Sequence, residues 1–260
     1  MLKVRVIPTL LWNNFGLVKG IGFDSWRRIG SVLPAIKIYN LREVDELVLV
    51  NITAHLSSDE LDYEMISEYA KDCFIPLTIG GGINKIQQVQ KLLRVGADKI
   101  IINSSAYTNP NLISDIAKRY GSQCIVVSID AKPKKNGKGW ECYSHAGKKN
   151  TEKNVIEWSK EMEDRGAGEI LITSIEKDGT LNGYDLKLIE TIVNTVKIPV
   201  IASGGAGNYK DMVDAVNKSG ANAVAAASMF HFTEQTPIGA KTFMENAGIP
   251  IRKPFCYVKE

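Results

Sequence analysis

Eight short runs rich in β-branched residues recur along the chain, each followed by a longer stretch of helical period. No other feature limits the fold as strongly. The runs are VRVIPTL (4–10), ELVLVNI (46–52), IPLTI (75–79), DKIIIN (98–103), QCIVVSI (123–129), EILITSI (169–175), IPVIAS (198–203) and AVAAAS (223–228). Strands that are apolar almost throughout are buried on both faces, as in a parallel sheet covered by helices. Eight βα units within 260 residues imply a closed (β/α)8 barrel. An open doubly wound sheet would more often carry GxGxxG after its first strand, and the chain has none there.

The helical stretches carry end signals. In SSDELDYEMISEYAKDC (57–73), Ser57 and Glu60 fit a capping box. In NPNLISDIAKRYG (109–121), Asn109 suits the N-cap, Pro110 the first helical position and Gly121 the end. The two halves of the chain also match. IPLTIGGG (75–82) parallels IPVIASGGAG (198–207), Glu46 of ELVLVNIT parallels Glu169 of EILITSIE, and the Gly96-Ala97-Asp98 turn parallels Gly220-Ala221-Asn222. The barrel therefore reads as two fused (β/α)4 halves, about 1–121 and 122–260, in one domain without an internal linker. On that register Leu11 of the first half stands opposite Asp130 of the second.

With 44% hydrophobic residues the chain needs no disulfide or metal to hold its core. A net charge of +3 does not suggest nucleic acid. Cys73, Cys124, Cys142 and Cys256 stand apart, and His55, His145 and His231 lack zinc spacing, so no metal or cofactor is expected. Neither a leader pattern nor a long apolar run is present, and a cytoplasmic protein that does not meet the membrane is expected.

In such barrels the functional groups cluster at the C-terminal strand ends. There Gly80-Gly81-Gly82 and Gly204-Gly205 let backbone N–H groups approach an anion at the next helix start. Asn103-Ser104 and Ser228 end the strands that follow. One glycine cluster would indicate only a tight turn. Two clusters related by the repeat indicate two phosphate cradles across one mouth, for a ligand with a phosphate at each end. Asp130 is a candidate general base or acid, or else pairs with Lys132 or another lysine. Lys19, after the first strand, either folds over the ligand or is solvated. The lysines of 132–150 suit a solvated hairpin, and His231, between two phenylalanines, a structural place. Arg5, Glu46, Lys99 and Glu169 fall near strand starts, on the barrel floor, where either a structural network or a polar ring around an axial entrance fits.

Together RVIP (5–8), LVKG (17–20), VDEL (44–47), TIGGGI (78–83), RVGADK (94–99), IDAK (129–132), GKKNT (147–151), RGAGEILITSI (165–175), KDGTLNGYD (177–185), IPVIASGGAG (198–207) and MFHF (229–232) form a specific set. Through them the chain resembles, over nearly its whole length, the cyclase subunit of imidazole glycerol phosphate synthase. The resemblance implies a partner, a class I glutaminase forming a heterodimer beneath the barrel, and ammonia passing along the barrel axis to a bis-phosphorylated substrate at the mouth. It implies an ammonia gate of Arg5, Glu46, Lys99 and Glu169, and partner-facing positions at Asp98 and Gln123. It also implies phosphate binding at Gly82, Asn103, Asp178, Gly179, Gly205 and Ser228.

The departures fall at the chemistry. The family uses one aspartate at the end of strand one and another at the end of strand five; here the second is Asp130 and the first is Leu11. Leucine transfers no proton, and losing one of two acid–base groups costs about 10²–10⁴ in rate. Asn51 replaces the usual Asp after strand two, and GSVLP (30–34) replaces a Gly-Asp-Pro. This pattern resembles a divergent branch linked to bacterial surface polysaccharides, in which barrel and glutaminase supply ammonia to a third enzyme that makes an acetamidino sugar. Three readings follow: that ammonia-delivering subunit, an ordinary histidine-pathway cyclase tolerating Leu11, and a scaffold binding a phosphorylated ligand.

Overall fold

Each barrel strand is a short β-branched run whose hydrogen bonds go to the runs on either side. The computed structural model describes residues 2–13, 15–54 and 61–253. The first half of the chain forms β1 (Arg5–Asn13), β2 (Gly16–Ile21), β3 (Asp24–Gly30), α1 (Val32–Leu41), β4 (Leu47–Asn51), α2 (Tyr63–Lys71), β5 (Leu77–Gly80), α3 (Ile86–Arg94), β6 (Lys99–Ile102), α4 (Ser104–Thr108) and α5 (Asn111–Tyr120). The second half repeats the order with β7 (Ile125–Pro133), β8 (Trp140–Ser144), β9 (Lys149–Asn154), α6 (Val155–Asp164), β10 (Glu169–Ser174), α7 (Leu186–Val193), β11 (Val200–Ser203), α8 (Tyr209–Asn217), β12 (Ala223–Ala226), α9 (Ser228–Phe232) and α10 (Pro237–Asn246).

The parallel strands run in the order β10-β11-β12-β1-β4-β5-β6-β7, and the β7–β10 pairing closes the ring. The fold is thus a (β/α)8 barrel, with all eight expected strands present. Its two halves share one feature that the apolar runs did not disclose. In each half the first strand outgrows the barrel and folds back into an antiparallel hairpin, β2–β3 after β1 and β8–β9 after β7. Only the second hairpin is expected from the sequence. The first, GLVKGI and DSWRRIG, has too mixed a polarity to read as strands.

Half of the helices described start at an N-cap side chain. Asp62 accepts from Met65 N–H, Asn154 from Ile156 N–H and Asp185 from Leu188 N–H, while Asn208 and Asp211 form a capping box. The expected Ser57–Glu60 box lies outside the described residues. Helix α5 begins at Asn111, with Pro110 just before it and Gly121 closing it at φ 88°. One apolar core lies between sheet and helices, and a smaller one of Ile7, Val48, Ile101, Val126, Leu171, Ile201, Ala223 and Ala225 fills the barrel. No helix among the described residues is long and apolar enough to cross a membrane.

Candidate functional site

Side chains alternate along a strand, so the inward face of β1 presents Arg5, Ile7, Thr9 and Leu11 from floor to mouth. At the floor, Arg5 reaches Glu46 at 2.6 Å and Glu169 at 2.9 Å. Lys99 reaches the same two carboxylates at 2.9 and 3.0 Å. The four residues therefore close a ring of alternating charge, and Thr78 Oγ1 donates a further bond to Glu46 at 2.6 Å. Burial pushes the Glu46 carboxyl up, but Lys99, Arg5 and the Thr78 bond outweigh it and hold it below the usual range. Burial opposes the Arg5 charge, yet Glu169 and Glu46 hold its pKa above the ordinary value. Both shifts favour the charged forms of Glu46 and Arg5.

Above this ring lies the apolar layer of Ile7, Val48, Ile101 and Leu171. Above the layer a cavity of about 570 Å³ opens to the C-terminal strand ends. Leu11 and Asp130 both line it. The strand register shows that they are equivalent. Leu11 pairs with Val50 of β4 and Asp130 with Thr173 of β10, and these partners each lie four residues beyond Glu46 and Glu169. The Asp130 carboxylate accepts from Asn103 Nδ2 at 2.7 Å, not from Lys132 or any other lysine. Burial raises its pKa to about 7; the Asn103 bond pulls it down and the nearby Asp178 charge adds to the rise. A carboxyl poised there gives or takes a proton at neutral pH. Leu11, its counterpart, does neither. Asn51 spends its carbonyl on the Thr53 N–H and hydroxyl and adds no charge.

Two glycine turns face each other across the mouth. Gly81 at φ 103° and Gly204 at φ 84° occupy equivalent places, and a Cβ on either would overlap a backbone carbonyl, of Asn51 and of Ser174 respectively. After the next strand in each half comes a five-residue helix, α4 from Ser104 and α9 from Ser228, whose first two N–H groups have no intrahelical acceptor. The geometric mates are therefore Gly81 with Gly204, Gly82 with Gly205 and Ser104 with Ser228. Gly82 (φ 72°) and Gly205 (φ 112°) line the cavity, and Asn103, one residue before Ser104, lies on the same wall. Transfer of the repeat offset keeps Gly82 with Gly205 and would have picked out Ser104 as the mate of Ser228. Three buried polar atoms that line this cavity, Thr9 Oγ1, Asn103 Oδ1 and Ser228 Oγ, lack a hydrogen-bond partner among the described residues. Each such atom costs roughly 1–3 kcal/mol, and three in one cavity offer hydrogen-bonding groups to whatever polar group enters it. Nothing in the sequence singled out Thr9, because its orphan state depends on strands far away in the chain.

Lys19 is not solvated. It lies on β2, only 2% exposed, with Nζ 2.6 Å from Asp178 Oδ2. Asp178 has no free group to offer an anion: its N–H goes to Ser174 and its carboxylate to Lys19. Burial lifts the Asp178 carboxyl above the usual range although Lys19 pulls the other way. Its geometric effect is to hold the first hairpin down, helped by Gly22 N–H to Asp178 O at 2.8 Å. Gly179 permits that approach, since a Cβ there would overlap the Gly20 carbonyl.

On the floor side, Asp98 is exposed and accepts from Leu77 N–H at 2.8 Å, a bond that Asn222 repeats with Val200 N–H in the other half. Gln123 is exposed, with Nε2 donating to Tyr120 O. His145 lies at the mouth, its N–H bonded to Ser104 Oγ, and His55 lies outside the described residues. His231 packs edge-on to Tyr39; burial, with a smaller push from Lys19, lowers its pKa to about 4. It is a neutral packing group.

A closed ring of charge below, an apolar layer, and a cavity with two backbone cradles above are arranged with two-fold repetition. A family model described as "Histidine biosynthesis protein" matches residues 5–236, nearly the whole of this repeated barrel. The chain belongs to the histidine biosynthesis protein family.

Proposed function

We propose that this chain is a cyclase-like barrel that conducts ammonia within a glutamine-dependent amidotransferase complex, and that its original ring-closing chemistry is reduced or lost. The observation that carries this reading is the contrast between floor and mouth. The ring of Arg5, Glu46, Lys99 and Glu169 is complete, whereas Leu11 stands where a partner for Asp130 is needed. A ring of net zero charge around the axis presents polar contacts to a small neutral molecule. The apolar layer above it disfavours ammonium, whose charge would be buried unpaired, and passes neutral ammonia. The floor also suits a docked glutaminase. Leu41 and Phe74, 79% and 84% exposed, line one shallow cleft beside Arg252, and Asp98 and Gln123 lie on the same side. The ammonia acceptor we favour is a nucleotide-linked acetamido sugar of surface-polysaccharide synthesis, held by a third enzyme.

One observation favours a second reading, an ordinary histidine-pathway cyclase. Asp130 titrates near 7, so a single group can act as acid and as base in turn. Complementation of a cyclase-deficient histidine auxotroph separates the two. Failure to restore growth is expected. The purified protein, given ammonium salt and the histidine-pathway ribonucleotide, is expected to show little or no cyclisation. A turnover number on the order of 1 s⁻¹, ordinary for a working enzyme, would overturn the proposal. For the partner, changes at Asp98, Gln123 and Lys99 should weaken co-purification with, or stimulation of, a class I glutaminase. If neither responds, the docking face is elsewhere.

A further inference from the structure

The second hairpin carries a charge pattern that none of this uses. Beyond Ala131, the last residue paired with β10, strand β7 leaves the barrel and continues beside β8 as far as Pro133 opposite Trp140. With β9 it forms a three-stranded flap standing on the rim. Between residues 132 and 154 the chain has seven lysines and two glutamates. Since the whole chain is only +3, everything outside this segment is net acidic.

Two of the seven are engaged. Lys132 lies over the Tyr143 ring at 4.8 Å, and Lys153 lies over Trp158 and 3.6 Å from Glu161. Lys134, Lys135, Lys138, Lys148 and Lys149 have no ion-pair partner among the described residues, and all but the half-buried Lys134 are exposed. The flap is fixed to the mouth. His145 N–H bonds Ser104 Oγ at 3.0 Å, and the Gly147 turn packs so closely against Phe23 of the first hairpin that a Cβ would sit 3.1 Å from its ring. The unpaired charge is thus anchored above the cradle wall.

A cradle of backbone N–H groups holds a phosphate at contact range, but its dipole field fades within a helical turn. Drawing an anion in from solution takes net charge. Inside the cavity Lys19 is committed to Asp178. We propose that the β7–β9 flap is an electrostatic collector for a small ligand bearing more than one phosphate, raising its rate of arrival at the mouth. This rests on the mouth being a two-phosphate site.

The test uses the full chain with fructose 1,6-bisphosphate as the probe, a compact sugar with a phosphate at each end. Association rates are followed by stopped-flow from low to high salt. In a flap variant, Lys134, Lys135, Lys138, Lys148 and Lys149 become Gln. In a control of equal net charge, Lys71, Lys118, Arg119, Lys197 and Lys218, exposed on the side away from the mouth, become Gln. At about 10 mM salt, where the Debye length is roughly 30 Å, the flap variant should associate about 10-fold more slowly than wild type. The two should converge near 0.5 M, where screening leaves only a few ångströms of reach. The control should follow wild type throughout. Equal low-salt rates for flap variant and wild type would overturn the proposal and leave an acidic macromolecule as the flap's counterpart. An equal loss in the control would reduce it to net charge alone. Failure of wild type to bind the probe at any salt would instead refute the two-phosphate mouth itself, and the collector with it.

Discussion

The two half-barrels share a backbone and differ in what they place on it. Each half has an overlong first strand, a hairpin, a glycine turn with φ above 100° and a five-residue helix opening on Ser104 or Ser228. At the equivalent end of the first strand, however, one half carries Leu11 and the other Asp130. The hairpins diverge likewise. The first is drawn down by the Lys19–Asp178 pair, and the second carries five lysines without an ion-pair partner among the described residues. Anion binding through N–H groups depends on chain geometry and survives change in the side chains. Proton transfer at a given strand end depends on a carboxyl there, and Leu11 supplies none.

The largest effect should come from removing the asymmetry. Leu11→Asp restores a second carboxyl to the mouth and should raise residual cyclisation by about 10²–10⁴, measured with ammonium as nitrogen source. No gain would mean that Asn51 or the altered first loop, not Leu11, limits the chemistry.

Next comes the floor, where each half contributes one glutamate to a shared ring. Lys99→Glu leaves three carboxylates around Arg5 and should destabilise the fold by about 3–5 kcal/mol in urea titrations. A loss well below this range would show that water screens the ring more than its 2.6–3.0 Å contacts imply.

The cradles should fail singly. A Cβ on Gly82 would lie 2.9 Å from Ala54 Cβ, and one on Gly205 would strike Gly183, both at positive φ. Gly82→Ala and Gly205→Ala should each cost about 1–3 kcal/mol. In crystals grown in phosphate, each should lose the anion from its own cradle and keep the other. Loss of both anions from one change would mean a single coupled site.

Asp130 should make a difference that appears only above acidic pH. Its pKa rises from 3.8 unfolded to about 7 folded. The folded protein therefore binds the proton more tightly, a stabilisation fully present below about pH 4 and lost as pH rises through 7. Asp130→Asn should match wild type near pH 4 and exceed it at pH 8 by up to about 4 kcal/mol. A constant difference across that range would mean that Asp130 is ionised in the fold at every pH tested.

The chain order alone determined the eight barrel strands, the two-fold repeat, the glycine turns, the floor charges and the Leu11 departure. All of these are written in near neighbours or in a fixed offset: β-branched runs bury both faces, and glycine marks positive φ. Only the closed barrel decided which charges meet. Arg5 finds Glu169 at a separation of 164 residues and Lys19 finds Asp178 at 159, so an apparently solvated lysine becomes a buried latch. The orphan state of Thr9, the raised pKa of Asp130 and the first hairpin have the same origin. Burial and pairing across the barrel are properties of the assembled sheet, and a segment read by itself carries no trace of the partner that will desolvate it.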